Sequence, residues 1–398
     1  STASIHLADG ATNYLGDGAE LLVADDTAQI NLFENIGDIV FREGDSTGDL
    51  NDYLALNLGN SESAQTIRQQ IEDGGEYVEV ASVHREFGNF GSALHDAEDG
   101  SVHEDVYVEY TIDELELTYT GDNNGLHVAA SADAQGDDAD LKMLITGDGN
   151  IVFDGGDIVV GAVGSDANTY TGATYVNGGS VTLAKNEGFG NTKLLDVESG
   201  ATVDLGRFNQ TVLSLTSDGE LRSESGFDTT LTIGVADRGD VMTSYVNGAN
   251  TEFHADVELL GSGHTLTMND GAALGDGAVA LHDNNLVVNG AGSASGHDVL
   301  TAALAGTGDV DVKNAFLTVD RVNTFTGSWT ATGHTDLIFN ASADDVSVSD
   351  LLGASGNTVV IGDEASVSMD EDHGWTLTNN VSGNGHLHIS AGGGEFQF

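Results

Sequence analysis

The residues of this chain whose types could do chemistry fall into three groups. Gly44, Asp45, Ser46, Thr47 and Gly48 place a serine hydroxyl in a polar turn. A nucleophilic serine needs a histidine base and an acid within hydrogen-bond reach. Only His6 precedes Ser46, and Thr47 stands where a glycine would shape an oxyanion turn, so the segment reads as a polar loop and no catalytic residue is expected. Arg238, Gly239 and Asp240 put a cation and a carboxylate at opposite ends of a short turn, the tripeptide that integrins read with an acidic pocket and a bound metal. Strands ending near Val235 and starting near Val241 would set it on a β-corner. His84, His95 and His103 cluster with Arg85, Glu86, Asp96, Glu98, Glu104 and Asp105. Zinc or copper would need two or three converging imidazoles, and no spacing here fixes that geometry. No metal site is expected; the histidines read as solvated loop residues and, with Arg85 and the tripeptide, as candidate ligand contacts.

Acidic groups offer oxygen ligands at Asp133, Asp137, Asp138 and Asp140 and again at Asp370, Glu371 and Asp372. Neither fits an EF-hand loop, because no closing glutamate follows Asp370, and the glycine-rich nonapeptide of calcium β-rolls is absent. The expectation is no cofactor, with weak Ca²⁺ condensation on charged faces. Lys plus Arg total 11 against 65 Asp plus Glu, a formal charge of −54 over 398 residues. Nucleic acid and anionic lipid are therefore not expected partners, since both are held by phosphate neutralisation. No apolar run is long enough to span a bilayer, so direct membrane insertion is not expected either. The first residues lack the pattern of a signal peptide and read as a processed fragment.

The elements that must position these groups are written in the composition. Glycine is twice its usual share at 54 residues, and aromatic residues are 6% of the chain. Cysteine is absent, so no disulfide or thiolate site exists. Proline is absent too, which suits stacked strands whose every N–H joins a ladder. From about Leu141 onward, short strands alternate with Gly, Asn and Asp turns, as at residues 180–183, 202–205 and 229–233. No helix is expected there. Glycine followed by alanine recurs at Gly10, Gly18, Gly200, Gly248, Gly271 and Gly290, where glycine would take positive φ and alanine would tuck inward.

Internal repeats are the strongest signal. An apolar residue, a Gly-x-Gly turn and an alternating strand recur from Ile145, from Leu304 and from Val381. Downstream of the first two lie Asn168, Thr169, Tyr170, Thr171 and Gly172, and Asn323, Thr324, Phe325, Thr326 and Gly327. With Gly147, Gly149 and the strand from Val176 to Leu183, this pattern resembles the passenger-associated repeat of AIDA-type bacterial autotransporters. The resemblance is full over 145–206 and rests on texture elsewhere. It implies an all-β, right-handed parallel β-helix of three sheets. It also implies type V secretion through a C-terminal outer-membrane β-barrel missing from this chain, and a place at the bacterial cell surface or beyond it.

The organisation expected is a single β-helical passenger over 1–398. Residues 1–60 would supply an N-terminal cap and first rungs, 61–120 an insertion projecting from the shaft, and 121–398 regular rungs of about 20–25 residues. Within the insertion, Ser63 would cap a short helix carrying Ile67 and Ile71 and ended by Gly74, followed by strands near 77–83 and 106–119. Phe396, Gln397 and Phe398 would lie on an open final rung. The function expected is a surface adhesin that binds a host matrix or surface protein through a polar acidic face and the insertion. Self-association between cells, giving aggregates and biofilm, is the alternative. Polysaccharide cleavage is the remote one: Lys142, Lys185, Lys193 and Lys313 are scattered, but carboxylates on adjacent rungs could serve a hydrolase.

Overall fold

A computed structural model describes residues 38–40, 65–70, 77–96, 102–121, 124–129, 139–161, 165–235, 242–293, 296–341, 346–371, 375–391 and 396–397. The chain is nearly all β, a solenoid of stacked parallel sheets. It divides into two compact units, residues 1–192 and 193–398.

In the first unit, Asp38–Val40, Gln65–Gln70, Tyr77–Asp96, Val102–Leu117 and Leu144–Gly147 form one sheet. Its centre is a long antiparallel hairpin that pairs Ala81 with Leu117 at one end and Asp96 with Val102 at the other. The two strands expected in this region are present and longer than their alternation suggested. The helix expected after Ser63 is a strand instead. Gln65–Gln70 pairs antiparallel with Tyr77–Asp96 and parallel with Asp38–Val40. An isolated helix this short is marginal, so two waiting strand edges decide its conformation. From Leu126 the first unit becomes a solenoid. Leu126–Ala129, Ile151–Gly155 and Ala173–Val176 stack in parallel on one side, and Ala139–Leu141, Asp157–Val160 and Ser180–Leu183 on the next.

The second unit repeats the plan over nine turns. One side is a run of parallel strands: Leu194–Val197, Leu215–Ser217, Thr243–Val246, Thr265–Met268, Asn284–Asn289, Gly308–Lys313, Ser328–Thr332, Thr358–Ile361 and Asn380–Gly383. The other sides carry Gln210–Val212 through Ala303–Ala305, and Asp298–Val299 through His386–Ala391. Turn length varies more than the even rung spacing expected. The turn that brings Trp329 onto Val310 is short, whereas the next, which brings Thr358 onto Ser328, is much longer. The long turn accommodates a helix, Val348–Leu352, that periodicity did not reveal. Its start is a capping box: the Ser347 side chain accepts from the Asp350 N–H while Asp350 accepts from the Ser347 N–H.

Alternation on each strand sends apolar residues inward. Trp329 is fully buried, edge-on to Phe325 at 5.5 Å and to Phe339 at 5.1 Å, and its indole N–H donates to the Leu352 carbonyl at 3.2 Å. Corner chemistry follows the Gly-Ala expectation in part. Gly200, Gly248 and Gly290 have positive φ, and Ala201 and Ala291 are buried. Gly271 does not share that conformation. Asn250 and Ala273 point inward where Ala249 and Ala272 were expected.

Candidate functional site: the outward polar face and the asparagine corners

The first two repeats have one structural meaning. Thr169 and Thr171 donate their N–H groups to the Ile145 and Gly147 carbonyls, and Thr324 and Thr326 do the same to Leu304 and Gly306. Asn168 then accepts from the Ile145 N–H at 2.9 Å, and Asn323 from the Leu304 N–H at 2.7 Å. Gly172 and Gly327 close the motif because a Cβ there would sit 1.8 and 1.7 Å from the carbonyl oxygens of Gly149 and Gly308. The third copy differs. Within the second unit the repeat at Leu304 leads into the nine-stranded side, whereas Val381 lies on that side and leads off it. Positive φ at Gly306 and Gly383 serves both corners, so the turn recurs without the rung that follows it.

Buried asparagines at these corners are the residues that sequence reading missed. Asn150, Asn250, Asn284 and Asn357 are as deeply buried as Asn168. Each uses Oδ1 to accept a backbone N–H, from Ala173, Leu221, His264 and Gly327 respectively. Each uses Nδ2 to satisfy a carbonyl, such as Ala273 for Asn250 and Phe325 for Asn357. An amide does both from two separate atoms, which lets it span two neighbouring turns, and a methyl can do neither. The recurring Asn before Thr-aromatic-Thr-Gly marks Asn168 and Asn323 alone and does not extend to these four.

Outward-facing positions of the nine-stranded side line up in two columns. One runs Asp196, Thr216, Tyr245, Thr267, Val287, Asp311, Thr330, Val360 and Ser382, each the register partner of the next. The other runs Thr243, Thr265, Asn285 and Asp309, then Ser328, Thr358 and Asn380. Ser328 bridges that column by donating its N–H and hydroxyl to Asp309 at 2.9 and 2.6 Å. The nine strands contain three acids, Asp196, Asp309 and Asp311, and one cation, Lys313, which sits 3.1 Å from Asp311. In a chain of formal charge −54 this face is charge-poor. Tyr245, 46% exposed, is its large accessible side chain.

At one end of that face the carboxylates crowd. Burial raises the Asp196 carboxyl above its ordinary value, with Glu198 and Asp218 adding to the rise. A raised carboxyl beside a second carboxylate has the ingredients of acid–base hydrolysis. However, Asp218 is committed to the Asn247 amide, and the adjacent groove of about 310 Å³, lined by Ala201, Glu220 and Asn250, is open to solvent. Histidines elsewhere pair singly with acids: His127 with Asp154 and His254 with Asp276, both at 2.7 Å, and His297 with Asp336 at 3.1 Å. Among the described residues no three His, Asp or Glu side chains converge on a possible metal position.

Of the candidate contacts named from sequence, the structure pairs His95 with His103 and leaves His84 and Arg85 apart from them. His95 and His103 are register partners across the long hairpin, and His84 pairs with Glu114 and Arg85 with Ile112. Eleven residues of extended strand, about 36 Å, separate His84 from His95. Arg238, Gly239 and Asp240 lie outside the described residues, as do the Gly44–Gly48 turn and Asp133, Asp137 and Asp138. Glu371 has a structural task, accepting the Val348 N–H at 3.1 Å while 7% exposed. Among the lysines, Lys185 is buried against Asn168.

No family model matches the chain, and no solved structure matches it. A stretch of 192 residues, 46% of the chain, is 26% identical to a protein of Escherichia coli (strain K12) described as uncharacterized protein YuaQ. That stretch covers 14% of the relative's length, and the relative's description names no activity. No helix among the described residues is long and apolar enough to cross a membrane.

Proposed function

We propose that this chain is the passenger of a bacterial autotransporter, displayed at the cell surface or released from it, and that it is an adhesin that binds a host surface or matrix protein. The observation that carries the adhesive reading is the pair of in-register outward columns on the nine-stranded side. Strands about 4.8 Å apart present hydroxyls, amides and carboxylates at a constant pitch. Such a face makes many weak hydrogen bonds in series, so avidity grows with the number of turns engaged. A protein partner suits it better than a sulfated glycan, because Lys313 is the lone cation in these strands and is already paired. The autotransporter reading is supported by the repeats from Ile145 and Leu304, whose corners are built alike.

One observation favours a second reading, self-association between cells. Two copies that met through this face would bring together few charges, whereas the rest of the surface would repel another copy. Sedimentation velocity over a concentration series, with and without millimolar calcium, separates the two. A monomer in every condition, together with binding to matrix protein, supports the host-protein reading. Concentration-dependent association that Tyr245→Lys abolishes supports the second, and absence of both defeats the adhesive reading.

A further inference from the structure

Lys185 and Asn168 meet between neighbouring turns of the first unit. Both side chains are buried, at 2% and 1% exposure, and Lys185 Nζ lies 2.7 Å from Asn168 Oδ1. The amide is clamped at both ends: Oδ1 also accepts the Ile145 N–H at 2.9 Å, and Nδ2 donates to the Gly188 carbonyl at 2.6 Å. The corner itself does not require the lysine. Asn323, in the same place in the second repeat, makes the equivalent bonds to the Leu304 N–H and the Leu351 carbonyl. The lysine stem covers Gly161, where a Cβ would collide with it. An amine enclosed in this way, with an amide as its hydrogen-bond partner, is poorly solvated as a cation. Burial accordingly lowers the Lys185 ammonium to about 8, with Asp166 opposing the shift, so a useful fraction is neutral and nucleophilic near neutral pH.

We propose that Lys185 and Asn168 become joined by an intramolecular isopeptide bond. The Nζ lone pair attacks Cγ of Asn168, forming the Nζ–Cγ bond and placing negative charge on Oδ1, where the Ile145 N–H already points. A proton passes from Nζ to Nδ2, the two nitrogens then being bound to the same tetrahedral carbon. The Cγ–Nδ2 bond then breaks and ammonia departs. Atoms balance with no oxidant, reductant or metal. The product is a neutral secondary amide, which removes the cost of burying an amine. It also staples consecutive turns of a chain that has no cysteine, restricting the unfolded ensemble as a disulfide would.

The test is the intact mass of the full chain, followed by fragmentation. The expected mass is lower than that of the sequence by one ammonia. Succinimide formation at an Asn-Gly pair such as Asn177 and Gly178 loses ammonia as well, so location decides. Chymotrypsin cuts after Tyr170 and Tyr175, between the two residues, and the fragments carrying Asn168 and Lys185 should remain covalently joined. Lys185→Met and Asn168→Ala should each restore the sequence mass. Asp166→Ala, at an exposed position, removes the charge that holds the ammonium protonated and should speed the mass loss in freshly made protein without changing the fold. Fragments that separate in the wild-type chain, or a mass deficit that persists in Lys185→Met, would overturn the proposal, and the wild-type fragments answer the question even if a variant fails to fold.

Discussion

Replacing Asn357 with alanine tests whether the buried amides hold the corners together. Asn357 Oδ1 accepts the Gly327 N–H at 2.9 Å, and Nδ2 donates to the Phe325 and Leu352 carbonyls at 3.0 and 2.8 Å. The carbonyls would survive the change, because Phe325 also accepts the Ala354 N–H and Leu352 the Trp329 indole N–H. The Gly327 N–H would lose its acceptor at a part-buried corner, which costs about 1–3 kcal/mol. A cavity the size of the missing amide adds roughly 1 kcal/mol, so the expected loss is about 2–4 kcal/mol. Asn357→Asp keeps the acceptor but removes both donors and buries a charge, and should be at least as damaging. Asn380→Ala, at an exposed position of the outward column, should stay within about 0.5 kcal/mol. Urea unfolding followed through Trp329 fluorescence, in a Trp375→Phe background because the chain has two tryptophans, reads the turn directly, since Trp329 donates to the carbonyl that Asn357 also serves. Asn357→Ala unfolding with the wild-type midpoint would refute the reasoning.

Other outcomes follow from the same corners and core. His264 is 2% exposed, and burial lowers its pKa below the ordinary 6.5. The unfolded chain therefore binds more protons there, and stability contributed by this group is held above about pH 6.5 and lost as pH falls below it. Thermal melts at descending pH should show His264→Asn less acid-sensitive than wild type. Trp329→Ala should cost about 3–5 kcal/mol through the cavity left beside Phe325 and Phe339, measurable by urea titration followed through circular dichroism. Gly327→Ala should prevent native stacking of its turn, because the new Cβ would overlap the Gly308 carbonyl. Circular dichroism retaining full native signal and melting temperature would count against that packing.

Local rules reached as far as local structure. Ser180–Leu183 has the bounds its alternation indicated, and the Gly-x-Gly corners were visible because only glycine tolerates the φ of 93° at Gly147 or 121° at Gly383. Residues 65–70 went wrong because two neighbouring strand edges outweigh a weak helical pattern. The helix Val348–Leu352 was missed although Ser347 and Asp350 spell its cap, since so short a segment cannot show a period. The outward columns were beyond reach for a different reason. Thr216 pairs with Tyr245 across a long turn and Val310 with Trp329 across a short one, so which polar residues become neighbours depends on turn lengths that a sequence does not mark. Buried Lys185 was invisible likewise, because its partner Asn168 belongs to the preceding turn.

The adhesive reading is tested most directly by surface plasmon resonance of the wild-type chain and a Thr243→Lys, Tyr245→Lys double variant. Each would be passed over immobilised basic matrix proteins and over the immobilised chain itself, with Ser368→Lys on another side of the solenoid as control. Both substituted residues are exposed and sit on one strand of the columns. The account predicts binding by wild type and Ser368→Lys and at least a tenfold loss in the double variant. Equal binding by all three would show that the outward face of the nine strands is not the contact surface.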